Sequence, residues 1–131
     1  MSKLLVTIGI FCIIYFLFKL IKKGNLKKIK STSDEIFFNE FQRKFGISNY
    51  SIIVEERKRF SNYFNIDRRK IGVDLKLNVL VKVCELAGGY IALNDIVYDL
   101  HELGYHEKVE KIILPDTVGE IIYLFLVLRN K

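Results

Sequence analysis

The chain has 131 residues, with 21 Lys and Arg against 15 Asp and Glu, and two cysteines. Seven of the lysines lie within residues 1–30, where there is no acidic residue, so residues 31–131 have 14 basic and 15 acidic groups and a net charge of −1. The excess positive charge is confined to the N-terminal segment, which removes the usual argument from a basic chain to nucleic-acid binding. The remaining length suffices for one small domain but not two, and two cysteines exclude a disulfide framework.

The first element is an apolar stretch from Leu4 to Ile21, with the sequence LLVTIGIFCIIYFLFKLI. As a helix, about 18 residues reach roughly 27 Å, close to the roughly 30 Å hydrocarbon thickness of a bilayer. Its one charged residue, Lys19, lies a turn from the end, where the ammonium group can reach the headgroups. A signal peptide would be followed by small residues at a cleavage site, and the residues from Phe18 to Lys23 are not of that kind. Residues 1–21 are therefore predicted to be a transmembrane anchor.

The lysines around this stretch predict its orientation. Lys3 is the only basic side chain before it, whereas six lysines crowd its far end. Because basic residues are retained on the cytoplasmic side, we expect a single-pass protein of the plasma (inner) membrane with its N-terminus outside and its remainder in the cytoplasm. Residues 22–31 are predicted to be a lysine-rich juxtamembrane linker that an anionic leaflet attracts. The six lysines are Lys19, Lys22, Lys23, Lys27, Lys28 and Lys30.

Two helices are predicted at the start of the domain. The segment from Thr32 to Glu35 has the pattern of a capping box, and Gly46 is typical of the residue that ends a helix. A second helix is predicted over about residues 51–64, with its charged residues, Arg57 and Arg59 among them, on the side opposite the apolar ones. The phenylalanines of the first helix recur at helical spacing and are predicted to form core: Phe37, Phe38, Phe41 and Phe45.

Two more helices are predicted from apolar residues that recur every three or four positions. Asp74 is predicted to cap a third helix, and Gly88 with Gly89 is predicted to end it. The fourth helix is predicted over about residues 93–103, with an acidic polar face that includes Asp95, Asp99 and Glu102. The apolar positions of the third helix are Leu77, Leu80, Val81, Cys84 and Ala87.

The C-terminal part contains a predicted helical turn at residues 107–114, which Pro115 breaks, and a second capping box from Thr117 to Glu120. The apolar run at residues 121–128 would reach only about 12 Å as a helix, too short for a second span. Periodicity leaves open whether it is a helix or a buried strand.

The predicted fold class is all-α: an N-terminal transmembrane helix plus one small helical-bundle domain over residues 32–131, with its core at about residues 51–128. The alternative is an α+β winged-helix-like domain.

After the predicted helix at about residues 51–64, three short motifs follow in order: Asn65-Ile66-Asp67 with Lys70-Ile71, then Asp74-Leu75-Lys76-Leu77, and finally Thr117-Val118-Gly119-Glu120-Ile121-Ile122. In this order of helix and motifs, residues 51–128 resemble the acyl carrier protein fold. The resemblance implies a small helical bundle. In that family a serine in an Asp-Ser-Leu motif at the start of the second helix carries the phosphopantetheine arm. No serine occurs here after Ser61, so the resemblance does not imply acyl carriage.

The segment from Val79 to Gly104 also resembles the front of a winged-helix DNA-binding domain. Such a domain needs a basic recognition helix, because phosphate contacts supply most of the affinity. The corresponding helix here has Asp95, Asp99 and Glu102 and no Lys or Arg. Nucleic acid is therefore disfavoured as a partner, and a membrane-associated DNA-binding regulator is the second functional hypothesis.

No catalytic pattern is found. His101 and His106 superficially resemble the H-E-x-x-H zinc motif, but a spacing of five places them about 140° apart around a helix, and Gly104 lies between them. The chain has no Walker-type phosphate loop, no G-x-G-x-x-G and no nucleophile paired with a base. We therefore expect no enzyme activity, no cofactor, no metal and no small-molecule substrate.

One basic patch is the candidate site. Residues 57–70 contain six basic groups against Asp67 alone, a net charge of +5. Such a run is commonly only a solvated surface, but together with the linker it can bind an anionic leaflet or an acidic protein. The resulting hypothesis is a single-pass, non-catalytic protein-interaction module, adaptor or regulatory, whose partners are the bilayer and another protein. The predicted patch consists of Lys22, Lys23, Lys27, Lys28, Lys30, Arg57, Arg59, Arg68, Arg69 and Lys70.

Overall fold

The computed structural model describes residues 2–85, 88–105 and 114–130. Within these ranges the chain forms helices and no strand, apart from one isolated bridge between Lys76 and Thr117. The all-α prediction is confirmed, and the α+β alternative is wrong for the described part of the chain. The elements are α1 (Ser2–Leu26), α2 (Asp34–Phe45), α3 (Tyr50–Phe64), a 3-10 turn (Arg68–Lys70), α4 (Leu77–Val83), α5 (Gly89–Glu102) and α6 (Val118–Arg129).

The helix α1 contains the apolar stretch and continues beyond Ile21 to Leu26. None of its residues is buried, and large apolar side chains such as Leu5 and Phe11 are about two-thirds exposed, at 67% and 68%. Of the helices in the described residues, α1 is the one long and apolar enough to cross a membrane. Its length and its uncovered apolar surface agree with the predicted span.

The far end of α1 contacts the domain. The Nζ atom of Lys22 donates a hydrogen bond of 2.7 Å to the carbonyl oxygen of Phe64, the last residue of α3. The α3 carbonyls at this end have no partner within the helix, and a cation is favoured there by the helix dipole. The same end of α1 also contacts α4. The first part of the predicted linker is therefore helical and attached to the domain through Lys22.

The core lies between α3, α5 and α6, with α4 packed on α5 and α2 packed on α3. Aromatic side chains join these helices: the rings of Phe45 and Tyr123 stack at 4.8 Å, and those of Tyr63 and Phe125 at 6.2 Å. The predicted aromatic face of α2 is confirmed, with Phe37 and Phe41 fully buried and Phe38 and Phe45 packed against the core. The predicted core positions Leu77, Leu80, Val81 and Cys84 are also buried, and Ala87 lies outside the described residues.

The ends of α2 and α3 agree with the prediction to within one residue. Gly46 adopts the left-handed conformation, with φ of 75°, and ends α2 as predicted. The predicted capping residue Thr32 is wrong, because Ser33 accepts the hydrogen bond from the amide of Ile36. The side chain of Thr32 instead accepts a hydrogen bond from Arg57, so a long-range contact displaced the expected local one.

The start of α4 was predicted incorrectly. Asp74 does not cap this helix, which begins at Leu77 after Lys76, and the Asp74 carboxylate pairs with Lys44. The reason is tertiary pairing between the segment before α4 and the segment before α6. The amide of Leu77 donates to the carbonyl of Asp116 at 2.8 Å, and the amide of Val118 donates to the carbonyl of Leu75 at 2.8 Å. These bonds pair the segment before α4 with the segment before α6 and leave Asp74 outside the helix.

The predicted stop after α4 is in fact the start of α5. Gly88 has φ of 92° and precedes α5, which begins at Gly89 rather than near Leu93. The amide of Gly89 donates to the Cys84 carbonyl at 2.8 Å, and a Cβ atom on Gly89 would lie 2.5 Å from the carbonyl oxygen of Val81. Glycine thus allows α5 to begin against α4.

The C-terminal apolar run is a helix, which resolves the alternative between helix and strand. The second capping box is confirmed at its cap residue, because Thr117 Oγ1 accepts from the amide of Glu120 at 3.3 Å. The predicted turn at residues 107–114 lies almost entirely outside the described residues. The side chains of α6 that face the core are Val118, Ile121, Ile122, Phe125 and Leu126.

Gly119 at the start of α6 lies directly against Val73 and gives a test of this packing. A Cβ atom at position 119 would lie 2.5 Å from the carbonyl oxygen of Val73, and the Gly119 amide donates to that oxygen. We expect Gly119→Ala to lower the free energy of unfolding by about 1–3 kcal/mol, because backbone must shift. Chemical denaturation of the full chain in detergent, followed by circular dichroism, measures this.

The matched control is Gly72→Ala, since a Cβ atom there meets nothing closer than 4.0 Å and its φ is not positive. We expect the stability of this variant to change by less than about 0.5 kcal/mol. Equal stability of the Gly119→Ala variant and the wild type would contradict the close packing.

Candidate functional site

Arg57 was predicted to lie on the basic surface, and this is wrong: its side chain is fully buried, with an exposed fraction of 0%. The guanidinium donates to the Asp34 carboxylate at 2.8 Å, to Thr32 Oγ1 at 2.8 Å and to the Ile71 carbonyl oxygen at 3.0 Å. It also lies 4.6 Å from the ring centroid of Phe37. A buried guanidinium requires acceptors for its donors, and the segments before α2 and after the 3-10 turn supply them.

We call Arg57, Asp34, Arg68 and Thr32 the arginine cluster. Arg68 pairs with the second Asp34 oxygen at 3.1 Å. Burial raises the pKa of Asp34, but the hydrogen bonds from Arg68 and Arg57 outweigh burial and hold this pKa below its ordinary value. Burial lowers the pKa of Arg57, and Asp34 offsets part of that change. One carboxylate therefore pairs with two predicted patch residues, and these two positive charges and one negative charge leave a net charge of +1.

The remaining basic residues of the 3-10 turn also have partners within the chain. Arg69 forms an ion pair with Asp67 at 2.7 Å, and hydrogen bonds from Arg69 lower the pKa of Asp67 to about 2. Lys70 Nζ donates to the carbonyl oxygen of Ile29 at 2.9 Å. Asp67 is already counted in the net charge of +5, whereas Asp34 lies outside residues 57–70 and reduces the positive charge that an outside partner meets.

Arg59 belongs to a second charged group around Glu56, whose side chain is 3% exposed. Arg59 and Arg129 pair with the same Glu56 oxygen, at 2.8 Å and 2.6 Å, so this carboxylate joins α3 to the end of α6. Arg129 also lies over the ring of Phe125 at 5.2 Å. The sequence did not indicate this group, since Glu56 and Arg129 are far apart along the chain.

The linker lysines behave differently from the arginines. Lys23, Lys27, Lys28 and Lys30 are exposed, and among the described residues no ion pair includes any of them. Lys22, in contrast, is engaged with the end of α3. The structure therefore divides the predicted patch into internally paired arginines and an exposed group of lysines at the end of α1.

The outer face of α5 carries exposed apolar and aromatic side chains beside acidic ones. Ile91 and Tyr98 have exposed fractions of 68% and 63% and lie seven residues apart, about two turns, on one helix face. Tyr90, with an exposed fraction of 58%, lies on the side of α5 nearer to α4, where it lines a pocket with Leu77 and Val81. Asp95 and Glu102 are exposed on the same face as Ile91 and Tyr98. We call Ile91, Asp95, Tyr98 and Glu102 the α5 face. This face can be recognised in the sequence, because its residues lie on the side of the helix opposite the buried Ala92, Ile96 and Leu100.

Asp99 was predicted on the acidic face but is directed towards α3, where its carboxylate accepts a hydrogen bond from the Tyr63 hydroxyl. Burial, together with this hydrogen bond, raises the pKa of Tyr63. The pair connects α5 with α3 and leaves Asp95 and Glu102 as the acidic groups of the α5 face.

His101 is exposed on α5, and His106 lies outside the described residues. Among the side chains that the structure describes, no three His, Cys, Asp or Glu residues are grouped as metal ligands would be. Burial raises the pKa of the Cys84 thiol, which favours the neutral form over a reactive thiolate.

No family model matches the chain, and neither a curated protein nor a solved structure matches it. The features of the chain that bear on its function are α1, the exposed lysines and the α5 face.

The arginine cluster can be tested by removing its central charge. We expect Arg57→Met to lower the free energy of unfolding by about 3–5 kcal/mol, because the acceptors around the guanidinium lose their buried partner. The neighbouring Lys58→Met is the matched control, since its side chain is exposed, and it should change stability by less than about 0.5 kcal/mol. Urea denaturation of both variants measures the difference. A loss below about 1 kcal/mol for Arg57→Met would contradict the role of the cluster.

Proposed function

We propose that the chain is a single-pass, membrane-anchored, non-catalytic interaction module. The observation that carries this proposal is α1: 25 residues of continuous helix, apolar over most of its length, with none of them buried against the domain. An apolar surface of this length is costly in water and matches the thickness of a bilayer. The domain at its end is the part that meets other molecules.

The proposed orientation places the N-terminus outside and the domain in the cytoplasm at the plasma (inner) membrane. It is supported by the asymmetry between Lys3 at one end of α1 and the lysines at the other end. The exposed lysines Lys23, Lys27, Lys28 and Lys30 lie where an anionic cytoplasmic leaflet would attract them. Attachment of Lys22 to α3 keeps the domain close to that leaflet.

The proposed partner is a second protein with a basic surface that binds the α5 face. Large exposed aromatic side chains are enriched at protein interfaces, and Asp95 and Glu102 on the same face are complementary to a positive charge. These carboxylates would repel the phosphates of a nucleic acid. A DNA-binding regulator is therefore not favoured by any side chain of this face.

The topology is tested by protease protection of the full chain with a C-terminal tag, expressed in a bacterial inner membrane. We expect external protease to leave the tag intact in spheroplasts, because the bilayer covers the domain. Detergent should then expose the tag to complete digestion, which is the control for protease activity. Digestion of the tag in intact spheroplasts would mean that the proposed orientation is reversed.

The α5 face is tested by site-specific photocrosslinking of the full chain in native membranes. A photoreactive residue at position 98 should give a discrete adduct with one protein, whereas the same residue at the exposed position 55 of α3 should not. Replacing Asp95 and Glu102 by lysine should reduce the adduct by about tenfold or more, because two complementary charges become repulsive. Equal adducts from positions 98 and 55, or no effect of the charge reversal, would contradict the proposal.

A further inference from the structure

A groove of about 530 Å³ lies between the end of α1 and α4. Its volume falls within the range of sites that hold small molecules. One of its walls belongs to α1 and the turn after it, and the other belongs to α4. The apolar residues that line it are Ile21, Ile29, Val79 and Val83.

The rim of the groove is positively charged. Lys22, Lys28 and Lys82 line it together with a single acid, Glu85, so the lining has three positive charges and one negative charge, a net of +2. Lys22 is used to bind the end of α3, but Lys28 and Lys82 are exposed and form no ion pair among the described residues. Two ammonium groups beside an apolar wall are suited to a ligand that has both an anionic group and a hydrocarbon part.

The position of the groove along α1 indicates the source of such a ligand. Ile21 is the last residue of the apolar stretch, and Lys22 is the first of the lysines that follow. The groove therefore begins at the depth where a transmembrane helix leaves hydrocarbon and enters the headgroup layer. At this depth the molecules that combine acyl chains with an anionic group are phospholipids of the same leaflet.

We propose that this groove binds one anionic phospholipid, with an acyl chain against Ile21, Val79 and Val83 and the phosphate between Lys28 and Lys82. Basic pockets beside membrane helices bind anionic headgroups through this combination of charge and depth. The inference rests on the membrane anchoring in the proposed function. Beyond attraction of a surface to a leaflet, it assigns one lipid to one site between α1 and α4.

Native mass spectrometry of the full chain in mild detergent tests the site, with equimolar phosphatidylglycerol and phosphatidylcholine added. We expect one phosphatidylglycerol molecule to be retained. Lys28→Glu with Lys82→Glu should reduce its retention by about tenfold or more, since each charge-assisted contact is reversed. The matched control is Lys23→Glu with Lys27→Glu, which makes the same charge change beside the membrane on exposed lysines that do not line the groove. This control should retain the lipid.

A second variant tests the apolar wall of the groove independently of its lysines. Val79 is 43% exposed on the groove wall, so Val79→Trp should fill the groove without disturbing the core and should displace the lipid while all lysines remain. Circular dichroism checks that each variant keeps its helical content. Soluble glycerol 3-phosphate at the same concentration should not displace the lipid, because it lacks the acyl chains.

Three results would overturn the inference. The first is an equal loss of phosphatidylglycerol from the Lys28→Glu, Lys82→Glu variant and the Lys23→Glu, Lys27→Glu control. The others are normal retention of phosphatidylglycerol by the Val79→Trp variant and displacement of phosphatidylglycerol by glycerol 3-phosphate. Flotation of the chain with vesicles distinguishes the two proposals. A chain that floats with vesicles but retains no phosphatidylglycerol refutes this site alone. A chain that does not float refutes the membrane anchoring.

Discussion

The buried guanidinium of Arg57 is the interaction on which the arrangement of the domain depends. Its donors are directed to three segments that are separate from α3: the residues before α2, the 3-10 turn and the residue after it. A charge inside a protein is tolerated only where it is paired and its hydrogen bonds are satisfied. Asp34, Thr32 and Ile71 meet this requirement together, and no buried side-chain polar atom of the described residues lacks a partner. The segments that meet at Arg57 are therefore fixed relative to α3.

Pairing with acidic side chains also changes how much positive charge the predicted basic patch presents to other molecules. Arg68 and Arg69 pair with Asp34 and Asp67, so each arginine of the 57–70 segment has an acidic partner within the domain. The exposed lysines at the end of α1 form no ion pair among the described residues. These lysines beside α1, and Lys82 on α4, are thus positive charges that are exposed and have no ion-pair partner among the described residues.

The attachment of α1 to the domain limits how far the domain can move relative to α1. Lys22 binds the carbonyl end of α3, and the end of α1 contacts α4, so the predicted linker is short and partly helical. A domain held in this way presents defined surfaces: the groove beside the end of α1 and the α5 face on a helix packed against α3 and α4. The proposed lipid site and the proposed protein site are connected through α4, which contacts both α1 and α5.

The sequence by itself determined the properties that depend on neighbouring residues. The uninterrupted apolar run predicted α1, helical spacing predicted the buried faces of α2 and α4, and Gly46 and Thr117 marked helix ends through local hydrogen bonds. Each of these follows from residues within a few positions, where geometry depends little on the rest of the chain. The acyl carrier protein resemblance predicted a helical bundle but no chemistry.

The tertiary structure alone decided the features that depend on contacts between distant parts of the chain. Arg57 lies at helical spacing from the buried Ile53 and Phe60, so spacing alone puts it on the apolar face of α3. Only the tertiary structure supplies the acceptors, Asp34 and Thr32, that allow a guanidinium to be buried there. Asp74 has the sequence of a helix cap, but pairing of residues 73–77 with residues 116–119 delays the start of α4 to Leu77. The same pairing positions α6, whose apolar residues are equally compatible with a strand. In each case a partner distant in the chain supplies or removes a hydrogen bond, and local spacing contains no information about that partner.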